Sequence, residues 1–181
     1  MDTEVRARRV KLLVFDVDGV LTSGQLFFGP DGEAMKIFHA QDGLGINAAH
    51  RAGLKTALIT GRESEMVRRR GTELSITDVC QGAQDKIAHL EKLLTKHDLT
   101  TDEVAYTGDD LNDLAVMEQA GLACAVANAA PEVKSAAHYV TVRAGGAGAV
   151  REIVELILKA QGKWPAVVES YRRPGGDKSC Q

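Results

Sequence analysis

Two apolar runs in this chain end in clustered carboxylates, and a third ends in a hydroxyl and a guanidinium. Val10 to Phe15 (VKLLVF) gives way to Asp16-Val17-Asp18-Gly19. Val104 to Tyr106 leads into Gly108-Asp109-Asp110-Leu111-Asn112-Asp113, and Thr56 to Ile59 ends at Thr60-Gly61-Arg62. A lone Asp-x-Asp or Gly-Asp-Asp is usually a turn or a cap. Placed directly after apolar strands they carry more, because ligands of open parallel sheets bind beyond the carboxyl ends of the strands. Carboxylates gathered there repel one another, and a cation would relieve the repulsion. Mg²⁺ typically takes one or two carboxylates, several waters and a substrate phosphate. The cluster therefore reads as a site for magnesium and a phosphate group.

The elements that must position this cluster follow from periodicity. Short aliphatic runs alternate with helical patterns, the signature of a parallel α/β sheet. Leu122 to Val126 and Tyr139 to Val142 read as further, weaker strands. Ile87, Leu90, Leu93 and Leu94 mark the apolar face of one helix, and Val150, Ile153, Val154, Ile157 and Leu158 that of another. One segment breaks the rhythm. Gln25 to Phe28, the turn Gly29-Pro30-Asp31-Gly32, and Glu33 to Phe38 read as strand, turn, strand, with Pro30 presetting φ and Gly32 tolerating positive φ. The expected architecture is a three-layer Rossmann-like α/β domain over residues 1–163, with a projecting β-hairpin at about 25–38. Residues 164–181 are expected to form a flexible tail, with Trp164, Val167, Val168 and Tyr171 able to dock.

The bulk composition narrows the partners. A chain of 181 residues, 44% hydrophobic and 26% charged, suits one domain with its own core. The net charge of -3 argues against nucleic acid or an anionic membrane as partner. No apolar run approaches the ~20 residues of a membrane span, and the first residues lack the apolar stretch of a signal peptide. Cys80, Cys124 and Cys180 have no metal-like spacing and read as reduced thiols of a cytoplasmic protein. His50, His89, His97 and His138 show no metal spacing either.

The motifs FDVDG, ITGR, a Lys opening a helix at Asp85-Lys86, and GDDLND stand in the order of the four motifs of the haloacid dehalogenase phosphatase superfamily. The wider pattern is closer still: DVDGVLTSG, GEAMKIFHAQDGLGI, ITGRESEMVRRR, QGAQDK, VAYTGDDLNDLAVM, YVT and GGAGAVREIVELILKAQGK. It resembles the 3-deoxy-D-manno-octulosonate 8-phosphate phosphatase family, which acts in making the inner sugar of lipopolysaccharide. The resemblance spans Val10 to about Lys163.

Roles follow from the resemblance. Asp16 corresponds to the nucleophile that attacks phosphorus. Asp18 corresponds to the general acid that protonates the leaving sugar oxygen and then activates water as a base. Mg²⁺ would be held by the Asp16 carboxylate, the Asp18 backbone carbonyl and Asp109, with Asp113 binding its waters or orienting Asp109. Thr60 and Lys86 would contact the phosphoryl oxygens, Lys86 also restraining Asp16. Substrate contacts are expected from Asp18, His39, Ala40, Gln41, Asp42, Gly43, Asn47, Arg62, Arg70 and Lys86. The family usually has Arg where Gln41 stands and often one where Asn47 stands, so Arg62 is the expected partner of the substrate carboxylate.

Two other enzyme-like readings compete. A phosphatase for nine-carbon keto-sugar phosphates shares the scaffold, but that group carries an acidic residue where Arg62 stands. A phospho-accepting signalling domain also places an Asp at a strand end, but has no general acid two residues on, where Asp18 lies. A non-catalytic partner protein is opposed by intact Asp16, Asp18, Lys86 and Asp109. Only about 25 residues separate the Asp16 strand end from the first core helix, too few for a folded cap domain. Leu26, Phe27, Phe28, Met35, Ile37 and Phe38 make the hairpin too apolar to stand alone in water. The resemblance implies a capless homotetramer with hairpins packed centrally. It also implies a C-terminal tail, here carrying Arg172 and Arg173, that can reach a neighbouring active site.

Overall fold

The computed structural model describes residues 2–172. Six parallel strands form its centre. β1 (Leu12–Phe15), β4 (Lys55–Ile59), β5 (Asp78–Cys80), β6 (Val104–Gly108), β7 (Leu122–Ala125) and β8 (Tyr139–Val140) lie in the order β5-β4-β1-β6-β7-β8. The remaining strands, β2 (Phe27–Gly29) and β3 (Gly32–Met35), pair antiparallel as a separate hairpin.

Strand β1 pairs on one side with β4, Phe15 opposite Leu58, and on the other with β6, Phe15 opposite Thr107. The chain thus leaves β1 toward one side of the sheet and returns on the other, which opens a crevice at the carboxyl end of β1. Every residue of β1, β6 and β7 is buried, as parallel strands covered on both faces require. Each fully buried Leu, Ile or Phe of this kind contributes roughly 1.5–3 kcal/mol by leaving water.

Helices α1 (Thr3–Arg9), α2 (Ala40–Arg51), α7 (Ala149–Ala160) and α8 (Trp164–Arg172) pack together as one layer. A second layer joins α4 (Lys86–His97), α5 (Leu114–Gln119) and α6 (Pro131–Ala136). Helix α3 (Glu65–Glu73) links β4 to β5. The apolar stripe of α7 is buried throughout, while Arg151, Glu155 and Lys159 on its other side pair at 2.8 Å across successive turns.

Several segments differ from their sequence expectation. Strand β1 starts at Leu12 rather than Val10, because Val10 ends α1 as its extended cap. Strand β8 stops at Val140 because the Glu152 carboxylate captures the Val142 and Arg143 N–H groups. Residues 164–172 of the expected tail form α8, where Arg151 lies over the Trp164 ring at 5.0 Å and Val167 is buried. Arg173, Cys180 and the rest of the expected tail lie outside the described residues.

Candidate active site

The chain turns sharply at the end of β1. The Asp16 N–H donates to the Thr107 carbonyl of β6 at 3.0 Å, fixing the first carboxylate in register with that strand. The Val17 carbonyl then accepts from the N–H groups of Leu21 and Thr22, both at 3.0 Å. Gly19 sits inside this turn at φ +96°, and a Cβ there would lie 1.9 Å from Asp109 Oδ2. Only glycine lets the β1 loop and the β6 loop approach so closely. The turn is backed by the Gly145-Gly146 segment: a Cβ on Gly145 would meet the Gly19 carbonyl oxygen at 1.6 Å, and the Gly146 N–H donates to Val20.

Asp113 organises the opposite wall. Its side chain is fully buried and accepts from Lys86 Nζ at 2.7 Å, Tyr106 Oη at 2.8 Å and the Asp109 N–H at 2.9 Å. Lys86 lies in the first turn of α4, where the helix dipole disfavours a cation. Its ammonium is held there by carboxylates, reaching Asp16 Oδ1 at 3.1 Å as well as Asp113. Burial pulls the Lys86 ammonium down, but Asp16 and Asp113 outweigh it and its pKa is raised.

Three carboxylates crowd this space. Oxygens of Asp16, Asp109 and Asp113 lie within 4.8 Å of one another. Burial, reinforced by the Asp113 charge and opposed by Lys86, raises Asp16 to about 6. Burial and the charges of Asp16 and Asp113 raise Asp109 to about 7. Asp16 Oδ1 is buried without an aligned hydrogen-bond donor, although Lys86 is near. An all-oxygen set, excess negative charge and an orphaned carboxylate oxygen fit a hard divalent cation such as Mg²⁺. Asp113 is already saturated with donors, so Asp16 and Asp109 are the side chains free to ligate.

These groups open into a cleft of about 240 Å³ lined by Asp16, Asp18, Gly24, Leu26, Thr60, Gly61, Arg62, Asp109, Asp110 and Asn112. Asp18 lies at its mouth, with Lys36 on one carboxylate oxygen and Arg62 Nε 3.7 Å from the other. Arg62 also rests over the Phe28 ring at 5.6 Å. The three strand ends singled out by sequence thus converge on one cleft, with Lys86 behind it.

A family profile described as haloacid dehalogenase-like hydrolase matches residues 70–153. The 3-deoxy-D-manno-octulosonate 8-phosphate phosphatase KdsC of Escherichia coli K12 is 45% identical over 162 residues, covering 90% of this chain and 86% of its own. The chain belongs to the 3-deoxy-D-manno-octulosonate 8-phosphate phosphatase family. A Moraxella catarrhalis phosphatase of that family, solved with a magnesium ion, a phosphate ion and KDO, is 41% identical with a TM-score of 0.91 over 93% of this chain and 97% of its own. The cobalt-bound Haemophilus influenzae enzyme is 38% identical with a TM-score of 0.89, over 93% and 99% of the two chains.

The residues expected to read the sugar are spread more widely than those around the carboxylate cluster. His39 caps α2, its Nδ1 accepting from the Gln41 N–H, and Ala40 opens that helix. Gln41 accepts from Arg143 at 2.6 Å. Asp42 is buried, and its carboxylate caps α7 by accepting from the Gly148 and Arg151 N–H groups at 3.2 and 2.9 Å. Gly43 gives room to Arg70, whose guanidinium would lie 2.5 Å from a Cβ there and which pairs with Glu73 at 2.8 Å. Asn47 is exposed on α2. None of these seven residues lines the cleft of this single chain, whereas Asp18 and Arg62 do.

Three contributors escaped the sequence reading. In the sequence Tyr106 reads only as a strand residue and Lys36 only as part of the hairpin, although both bond to site carboxylates. The Gly145-Gly146 pair reads as a motif, and its packing against the nucleophile turn comes from the fold. Alternation within Glu33 to Phe38 was the available signal for Lys36, since it interrupts an apolar stretch.

Proposed function

We propose that this chain is a Mg²⁺-dependent phosphatase that converts 3-deoxy-D-manno-octulosonate 8-phosphate to 3-deoxy-D-manno-octulosonate and phosphate. The observation that carries the reading is the cleft itself: Asp16 with a buried oxygen paired to Lys86 at 3.1 Å but given no aligned hydrogen bond, and Asp18 at the mouth beside Arg62. Sequence relatives of that activity and a neighbour solved with magnesium, phosphate and KDO support it.

In this mechanism Asp16 attacks phosphorus, and the bond to the sugar oxygen breaks as Asp18 delivers its proton to that oxygen. The Asp18 carboxylate then takes a proton from the water that attacks the aspartyl-phosphate, releasing phosphate and restoring Asp16. Lys86 and the buried Thr60 would donate to the phosphoryl oxygens, where fixed donors stabilise the charge that spreads in transfer. Mg²⁺ held by the Asp16 and Asp109 carboxylates and the Asp18 carbonyl would neutralise phosphoryl charge; Asp113 fixes the Asp109 backbone. Arg62, exposed at the cleft, would take the substrate carboxylate. The acid Asp18 at the cleft disfavours a phospho-accepting signalling domain, and Arg62 disfavours nine-carbon substrates.

The functional unit in this reading is a homotetramer whose neighbouring subunits complete the sugar site. Leu26, Phe28, Met35 and Ile37 of the hairpin are 43%, 64%, 45% and 55% exposed, a surface suited to burial against further copies. Residues His39 to Gly43, Asn47 and Arg70 would then reach substrate within the assembly. Among the described residues no helix is long and apolar enough to cross a membrane. The free thiols Cys80 and Cys124 support a reducing compartment such as the cytoplasm.

Phosphate release from a panel of sugar phosphates, with Mg²⁺ and with a chelator, tests the assignment. The eight-carbon sugar acid phosphate should be preferred and the chelator should abolish turnover. Preference for a neutral sugar phosphate, or full activity without metal, would overturn it.

A further inference from the structure

The hairpin is tied to the cleft by a line of polar contacts. Lys36, just after β3, has a side chain only 2% exposed. Its ammonium sits between two carboxylates, on Asp18 Oδ1 and 2.9 Å from Glu33 Oε1. The second oxygen of Glu33 accepts the Ser64 hydroxyl, and Ser64 is the cap residue of α3. The Ser64 N–H in turn donates to Gln81 Oε1 at 2.7 Å. A rigid strand-to-helix junction therefore holds Glu33, Glu33 holds Lys36, and Lys36 holds one oxygen of Asp18.

Burying an ammonium is expensive unless its charge is matched and its geometry fixed. The bond from Ser64 to Glu33 already ties the hairpin to the start of α3 without Lys36. The reach of Lys36 to Asp18 anchors one carboxyl oxygen and leaves the other in the looser 3.7 Å pairing with Arg62 Nε, both residues lining the cleft. Without the anchor the Asp18 side chain could turn fully to the Arg62 guanidinium.

We propose that Lys36 is a positioning residue for Asp18, aiming its carboxyl at the leaving-group oxygen and making the hairpin part of the catalytic apparatus. The proposal rests on the reading of Asp18 as general acid. In the step concerned, the Asp16–phosphorus bond forms, the phosphorus–sugar oxygen bond breaks, and the Asp18 proton passes to the sugar oxygen. A misaimed carboxyl slows this most when the leaving group is a poor one.

The test compares kcat/KM for the sugar phosphate, whose alkoxide needs a proton, with that for p-nitrophenyl phosphate, whose phenolate leaves without one. Lys36→Met should lower the sugar phosphate value by ~10- to ~100-fold, less than the ~100-fold or more expected from losing the acid itself, and leave the aryl phosphate little changed. Lys36→Arg should restore much of the loss, and Glu33→Gln should give the same selectivity at smaller size. A general loss of folded protein lowers both substrates together, so the ratio separates positioning from structure. Asp18→Asn serves as reference. Equal losses on both substrates for Asp18→Asn would sink the acid assignment and the proposal with it. Selective loss for Asp18→Asn with an unchanged ratio for Lys36→Met and Glu33→Gln would overturn the role of Lys36 alone.

Discussion

Replacing Asp113 by Asn keeps the shape of the side chain and removes its charge. Asp113 accepts from Lys86, Tyr106 and the N–H groups of Asp109 and Asp110. The amide keeps one acceptor oxygen, and its NH₂ must face either the Lys86–Tyr106 side or the backbone side, donor against donor. Hydrogen bonds to a charged acceptor are each worth about 1.5–3 kcal/mol, and a buried donor left alone costs about 1–3 kcal/mol. Relief of repulsion on Asp16 and Asp109, both raised in part by Asp113, offsets some of this. A net loss of about 3 kcal/mol in metal-free protein is expected, or roughly 6–12 °C in Tm for a chain of this size. The Asp109 backbone loses its anchor at the same time, so half-saturating Mg²⁺ should rise by ~10- to ~100-fold. Urea unfolding in chelator and a Mg²⁺ titration of phosphate release measure the two effects. A stability change below about 1 kcal/mol together with unchanged Mg²⁺ demand would refute the view of Asp113 as the organiser of this wall.

Arg62→Ala should mainly raise KM for the sugar acid phosphate, by roughly 10- to 150-fold, and spare a simple aryl phosphate; equal losses would give Arg62 a phosphate or structural role instead. In metal-free protein Asp16 and Asp109 keep protons that the unfolded chain releases near 3.8, so their favourable contribution is full below that value and is lost as pH rises through about 6 and about 7. Mg²⁺ binds the deprotonated carboxylates, so it should raise Tm more at about pH 8 than at about pH 5, and equal shifts would contradict the assigned ligands. Light scattering of the purified protein should give four chains, and a fully active monomer would leave the exposed hairpin without its proposed partner.

Much of this fold can be read from the amino acids because parallel strands buried on both faces are written as unbroken apolar runs. Phe15, Ile59 and Tyr106 close such runs, and the polar residues just beyond them are those that line or frame the cleft. Strand β5 escapes because Asp78-Val79-Cys80 is short and opens with a carboxylate, which Lys96 of α4 pairs with at 2.5 Å and the His97 ring contacts at 2.9 Å. Helix α1 escapes because five of its seven residues are charged or polar and only Ala7 is buried. Asp42 illustrates a different limit. The family resemblance implies a substrate contact there, but a buried carboxylate can equally cap a helix more than a hundred residues away, and no local pattern reveals that α7 begins there. Lys36 and Tyr106 are hidden for the same reason, since their partners come from other elements.

The central claim is that Asp16 carries the phosphoryl group. Enzyme mixed with sugar acid phosphate and Mg²⁺, quenched in acid within a turnover and digested, should yield one phosphorylated peptide, with the modification on Asp16. Asp18→Asn, slowed in hydrolysing the intermediate, should yield more of it wherever attack still outpaces that step, and Asp16→Asn should yield none and release no phosphate. Normal phosphate release from pure Asp16→Asn protein, or a phosphoryl group on another residue, would contradict the account.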